Sequence, residues 1–185
     1  MSPIDDIRRY TPTNEQEERD RLVMLSLLQS GQELFSRDNA IAHFTASAWI
    51  TSPDRQLVLM CYHNLYDSWS WLGGHADGDH DLAAVALREV REESGLAHAR
   101  LVSPDIYSLE ILTVDGHVKK GQYVSSHLHL NLTYLVEADP REALSTKPDE
   151  NSGLGWFTRE GAIAASTEPW FRERIYPKLN AKLDG

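Results

Sequence analysis

Three kinds of hydrophobic pattern follow one another along the chain, and each predicts a different element. From Asn14 to Ser30 apolar residues recur at helical spacing, with Leu22, Leu25 and Leu28 in a stripe. Thr13 is placed to cap the start of this helix, and Gly31 stands just past its end. Glu15, Glu17 and Glu18 crowd the first turn, where the helix dipole favours negative charge. From His43 to Thr51 the pattern alternates, with Phe44, Ala46, Ala48 and Ile50 on one side, which predicts a half-buried strand. Beyond the Ser52-Pro53-Asp54 turn, Gln56 to Tyr62 is a short unbroken apolar run, as in a strand covered on both faces.

A glycine-rich stretch from Gly73 to Gly78 leads into a helix predicted over Leu82 to Ser94 and closed by Gly95. Strands are expected at Tyr107 to Val114 and Tyr123 to Val136, with a polar, basic loop around Asp115-Gly116 that is too long for a two-residue turn. Trp156-Phe157-Thr158 predicts a short strand or edge piece, and the remainder one or two helices. Strands and helices interleave without a regular repeat, so the expected class is α+β with a mixed sheet. Residues 1–40 are expected to form an N-terminal helical extension and residues 41–185 the main domain. An arm for a second copy, a lid and simple packing are all open to the extension.

Composition narrows the field. Cys61 is the only cysteine, which excludes an intramolecular disulfide and a cysteine-rich zinc site. Lying inside an apolar run, it is expected to be a packed small residue rather than a nucleophile. The start of the chain lacks a basic segment followed by an apolar run, and Leu22 to Leu28 is far short of a membrane span. A cytoplasmic protein without a membrane partner is the expectation. The formal charge of −10 argues against broad binding to a nucleic-acid polymer. It fits either an ordinary acidic protein or one whose carboxylates hold divalent cations.

The second helix decides between them. With successive residues about 100° apart, Glu89, Glu92 and Glu93 share one arc, and Ala83, Ala86, Leu87 and Val90 occupy the arc beside it. Arg88 lies one turn before Glu92 and can pair with it. Three carboxylates on one arc repel, and in the C-terminal half of a helix the dipole opposes them further. A solvated acidic face is the plain alternative. The adjoining apolar arc argues instead for a cluster at the mouth of the fold, where a bound cation would relieve both penalties.

At this point the sequence resembles the Nudix hydrolase family. Gly74 opens the family's box, and Arg88-Glu89-Val90-Arg91-Glu92-Glu93-Ser94-Gly95-Leu96 matches its second half at every defined position. One position departs: His80 stands where the box has its first glutamate, flanked by Asp79 and Asp81. A one-residue slip would bring Asp79 into that place. The resemblance implies an α/β/α sandwich in which loop and helix form a site for Mg2+, with Mn2+ as a substitute. Glu89 and Glu93 would be the first ligands and Glu92 the third, with Gly74 (or the Gly73 carbonyl) and Asp79 as further contacts, while Arg88 orients Glu92. The implied reaction is water attack on a diphosphate linkage of a small nucleoside diphosphate derivative. Isomerisation of a diphosphate ester and non-catalytic ligand binding remain open alternatives, as does a homodimer. The base could be a cluster glutamate or one from a later loop.

Outside the box, Glu150 precedes Trp156, and family members often carry an acidic loop residue there; it is a base or ligand, or an ordinary surface carboxylate. His127 and His129 point to one sheet face and could touch substrate, form a hydrogen-bonded pair or, given a third ligand, bind zinc. Trp69, Trp71 and Tyr66 could stack on a base or pack in the core.

Overall fold

A computed structural model describes residues 3–119 and 121–185. Helices α1 (Pro3–Arg9) and α2 (Glu15–Gln29) come first, then strands β1 (Ala42–Thr51), β2 (Leu57–His63), β3 (Ser68–Ser70) and β4 (Leu72–His75). Helix α3 (Leu82–Ser94) is followed by β5 (Arg100–Leu101), β6 (Ser108–Val114), β7 (His117–Lys119), β8 (Gln122–Val124), β9 (His127–Glu137) and β10 (Asn151–Thr158). Helix α4 (Arg159–Ala165), a π-helical turn (Phe171–Ile175) and α5 (Tyr176–Lys182) end the chain.

Among the described residues the main sheet has the order β10-β2-β1-β9-β5, with β3 on β2, β4 on β1 and β6 on β9. β10 and β1 run antiparallel to β2, and β5 and β6 antiparallel to β9. Backbone bonds from Leu128 to Ile41 (2.9 Å) and from Ala138 to Thr51 (3.0 Å) advance together along both segments, so β1 and β9 are parallel. The sheet is mixed, as expected, and the class is α+β.

β1 is buried at every position, where the alternation had predicted one wet face. The polar side of the strand is covered because it has partners. Thr45 and Ser47 donate to Asn131 Oδ1 at 2.9 and 2.8 Å, and Asn131 donates to Glu110 at 3.1 Å. A buried polar side chain is tolerated when it is hydrogen-bonded, so alternation reads as half-buried when it is not.

The chain divides into two compact units. The first comprises residues 1–47, 74–85 and 104–134, and the second residues 48–73, 86–103 and 135–185. In the first, α2 lies on β6, where Glu17 accepts from Ser108 at 2.9 Å and Asp20 accepts from the Ile111 amide at 2.9 Å. Asn14 rather than Thr13 caps α2, its side chain accepting from the Glu17 amide at 2.9 Å, while Thr13 donates to Glu17. Met24 and Glu17, not the Leu22 stripe, face inward, and Leu22 is 48% exposed. The helix turns a polar residue inward because Ser108 and Thr13 satisfy it. The expected long strand from Tyr123 is broken before His127, and β7 and β8 make a small hairpin in the loop near Asp115.

In the second unit, Ala48, Ile50, Leu59, Cys61, Leu72, Val90, Leu96, Val136 and Ala138 form one core. β10 is longer than the three residues expected, because Gly153 and Gly155 leave room for the Trp69 ring beside it. Among the described residues no helix is long and apolar enough to cross a membrane.

Helix α3 ends where expected. Gly95 has φ +74° and its amide bonds to Arg91 O at 2.9 Å. A Cβ at Gly95 would meet Ser145 Cβ at 3.0 Å, whereas one at Gly31, with φ +75° after α2, would meet nothing within 4 Å. Gly31→Ala should therefore cost only the left-handed backbone penalty, about 1–2 kcal/mol, and Gly95→Ala about 1 kcal/mol more. Urea denaturation of the two variants checks this, and an equal loss would contradict it.

Candidate functional site

The amphipathic pattern of α3 buries Val90 in the second unit's core and carries Glu93 in beside it, leaving Glu93 3% exposed. Its Oε2 accepts from the Gly73 amide at 3.0 Å, which fixes the carboxylate against the end of the β3–β4 segment. Glu89 keeps 14% of its side chain exposed and Glu92 48%, so the arc is graded from core to solvent. Arg88 lies 4.0 Å from Glu92 and 3.8 Å from Glu89, spread between both rather than dedicated to Glu92.

The loop before β10 completes the cluster. Asn151 is fully buried and donates to Glu93 O at 3.1 Å, while its own Oδ1 accepts from the Lys147 amide at 3.2 Å. This one side chain ties the loop to the C-terminal end of α3. Lys147 Nζ stands 3.0 Å from Glu150 and 3.7 Å from Glu92. Glu89, Glu92, Glu93 and Glu150 thus belong to one electrostatic group, with Lys147 and Arg88 as the cations acting on it. Sequence inspection missed Lys147 and Asn151. Their signal is the K-x-x-E-N spacing that places one on each side of Glu150.

Burial pushes the Glu93 carboxyl up to about 8, and the charges of Glu89 and Glu150 push the same way against the Gly73 amide. Glu89 is raised for the same first reason, burial, with Glu92 adding to it. Burial opposes the charge on Lys147, but the bond to Glu150 and the nearby carboxylates outweigh it and raise its pKa. Four carboxyl groups thus face two cations, and burial holds Glu93 and Glu89 back from ionising.

The first unit holds Gly74, Asp79 and His80. Asp79 Oδ1 accepts from the Asp81 amide at 2.9 Å, and Asp81 in turn caps α3 by accepting from the Ala84 amide at 3.0 Å. His80 stacks on Phe35 with ring centroids 3.9 Å apart.

A second group of titratable side chains lies in the same unit. His43, on β1, has ring centroids 5.2 Å from His75 and 5.1 Å from His129. His75 and His129 are 5.0 Å apart, and His127 Nε2 is 3.2 Å from His129 Nε2. Burial lowers the pKa of His43; it lowers His75 to about 3, helped by the Arg37 charge, and His129 to about 2, helped by His75 and His43. All three are neutral at physiological pH. His127 and His129 thus belong to a larger imidazole cluster than their own strand revealed.

Trp71 is 8% exposed and meets Phe171 and Tyr176 edge-on, which makes it core. Trp69 is half-buried between Tyr62 and Phe157. Cys61 is fully buried, with Sγ 3.5 Å from Trp71 O, and burial pushes its thiol far up, so it is a packed residue.

The family model for the NUDIX domain matches residues 42–179 of the 185. A solved hydrolase of the NUDIX family from Clostridium perfringens is similar, at 24% identity and a TM-score of 0.54, over 77% of this chain and 96% of that one. An Ap4A hydrolase from C. elegans is similar at 18% identity and a TM-score of 0.53, over 76% and 94% of the two chains. The E. coli dihydroneopterin triphosphate pyrophosphohydrolase follows at 14% identity and a TM-score of 0.53, over 79% and 97%. No curated protein matches the chain significantly. With the box intact on α3, the mixed sheet around it and a family model covering most of the sequence, the chain belongs to the Nudix family of hydrolases.

Proposed function

We propose that this protein is a divalent-cation-dependent pyrophosphohydrolase that cleaves a diphosphate linkage in a small nucleoside diphosphate derivative. The observation that carries this is the gathering of four carboxyl groups, Glu89, Glu92, Glu93 and Glu150, against two cations, with Glu93 desolvated. The donor set suits the ion. It is made of carboxylate oxygens, which hard cations such as Mg2+ or Mn2+ prefer. Glu89 and Glu93 would hold the cation with Glu92 as the third ligand. When bound, such an ion neutralises the diphosphate, polarises phosphorus and lowers the pKa of a bound water.

The protein's own part is orientation and proton transfer. The Gly73 amide fixes Glu93 in one rotamer, so the ligand is in place before the substrate arrives. Arg88 shares its charge between Glu89 and Glu92 and limits their mutual repulsion. Glu150 is our general base. Lys147 stands 3.0 Å from it, and Asn151 holds the loop that carries both. The activities named for two structural neighbours, on Ap4A and on dihydroneopterin triphosphate, support a small phosphoanhydride as substrate. The single buried cysteine suits a cytoplasmic enzyme, and a homodimer is compatible with it.

A panel of Ap4A, ADP-ribose, nucleotide sugars and nucleoside triphosphates tests the proposal, with Mg2+ or Mn2+ and product chromatography. Phosphate-terminated fragments should form with metal and vanish in excess chelator. Rearrangement without cleavage would favour an isomerase, and binding without turnover a regulator. Glu93→Gln and Glu89→Gln should each lower turnover by at least about 100-fold. Near wild-type rates in either would place the chemistry elsewhere.

Glu150→Gln should lower turnover more than it weakens substrate affinity, which steady-state kinetics resolve.

Without metal, Glu93 also makes stability depend on pH. Its folded pKa of about 8 lies above the ordinary carboxyl value of 4.5, so the folded chain binds a proton the unfolded chain has released. The stabilisation is complete below the ordinary value and is lost as pH rises through about 8. Thermal melts in chelator should show Tm falling from about pH 4.5 to about pH 8 and levelling above that, with a flatter profile for Glu93→Gln. Identical profiles would remove Glu93 as the titrating group.

A further inference from the structure

β1, β4 and β9 each bring one histidine to a common point in the first unit. One ring nitrogen from each of His43, His75 and His129 lies within 4.8 Å of the other two. We propose that these three imidazoles form a binding site for a divalent transition-metal ion of the zinc class, sharing no residue with the glutamate cluster on α3.

The His43 ring is already committed to this role. Its Nδ1 is 3.0 Å from Asn39 O, a carbonyl that can only accept, so Nδ1 carries the proton and Nε2 the lone pair. That Nε2 is buried and has no hydrogen-bond partner among the described residues, in a side chain 3% exposed. Leaving a buried polar atom unpaired costs about 1–3 kcal/mol. A coordinated ion removes that cost. The Asn39 carbonyl is then the outer partner that metal-bound histidines use to fix ring and tautomer.

His129 has an outer partner too. His127 donates from Nδ1 to Ser125 O at 2.8 Å, which leaves its Nε2 to accept from His129 Nε2 at 3.2 Å. The second imidazole of the H-x-H pair therefore positions the first. An ion bound at about 2.0–2.1 Å by tetrahedral ligands needs ligand separations of about 3.4 Å. Displacements of about one ångström at the ring nitrogens would bring the three to that spacing.

Donor chemistry selects the ion. Three nitrogens and no carboxylate suit Zn2+, Co2+ or Ni2+ and disfavour Mg2+. Neutral ligands leave the full double charge on the ion. His75 and His129 are only partly buried, so a fourth position is open to water or to an anionic oxygen. Arg37, Asp77 and Lys119 are the charged groups that act on the cluster.

Zn2+ and Co2+ themselves are the probes. Metal-stripped full-length protein should bind one tight Zn2+ in competition with a chromophoric chelator. Its Co2+ form should show the visible band of a low-coordinate nitrogen site. Both properties should persist in Glu93→Gln. In His75→Ala and His129→Ala the Zn2+ affinity should fall by at least about 100-fold, and in His127→Ala by about 10-fold. X-ray absorption of the zinc-loaded wild-type protein needs no variant and should show imidazole nitrogens at about 2.0–2.1 Å. An oxygen-only shell, tight binding that survives the histidine variants, or the absence of tight binding would overturn the site.

Discussion

The carboxylate of Glu93 is a negative group in a place that disfavours one, and the second unit is arranged around it. Val90 on the same helix anchors that turn in the core, and Gly73 supplies the amide that donates to the carboxyl group. Asn151 closes on the carbonyl of the same residue and thereby hangs Lys147 and Glu150 beside it. The buried charge is tolerated because it is shared. A neutral carboxyl, a lysine nearby or a divalent ion are three ways to satisfy the same cluster, and the proposed function depends on the third displacing the first.

The same logic recurs in the first unit with nitrogen in place of oxygen. There, burial keeps imidazoles neutral rather than carboxyls protonated, since desolvation always disfavours the charged form. The glutamate cluster thus offers anionic oxygens and the histidine trio neutral nitrogens. As proposed, the two donor sets would suit different classes of cation.

What could be read from the sequence depended on how local the signal was. Helix α3 and its ends were legible residue by residue, because capping, period and the closing glycine all lie within one short segment. Glu89, Glu92 and Glu93 were legible for the same reason. Strand β1 was read as half-buried because Asn131, the residue that satisfies Thr45 and Ser47, lies on another strand. Trp71 was open to two readings until Phe171 and Tyr176 came to it from the far end of the chain. The histidine trio could not be found by spacing at all. His43, His75 and His129 stand on three separate strands, and only their pairing brings the rings together.

The central claim is that the glutamates of α3 and the Lys147–Asn151 loop surround a hard divalent cation. Mn2+ titrated into isotope-labelled protein tests it most directly, since its unpaired electrons broaden NMR signals near the bound ion. The amides of Gly73, Glu93 and Glu150 should broaden at the lowest Mn2+ additions, and a Glu89→Gln, Glu93→Gln double variant should lose the effect. Broadening centred elsewhere, or unchanged in the double variant, would contradict the account.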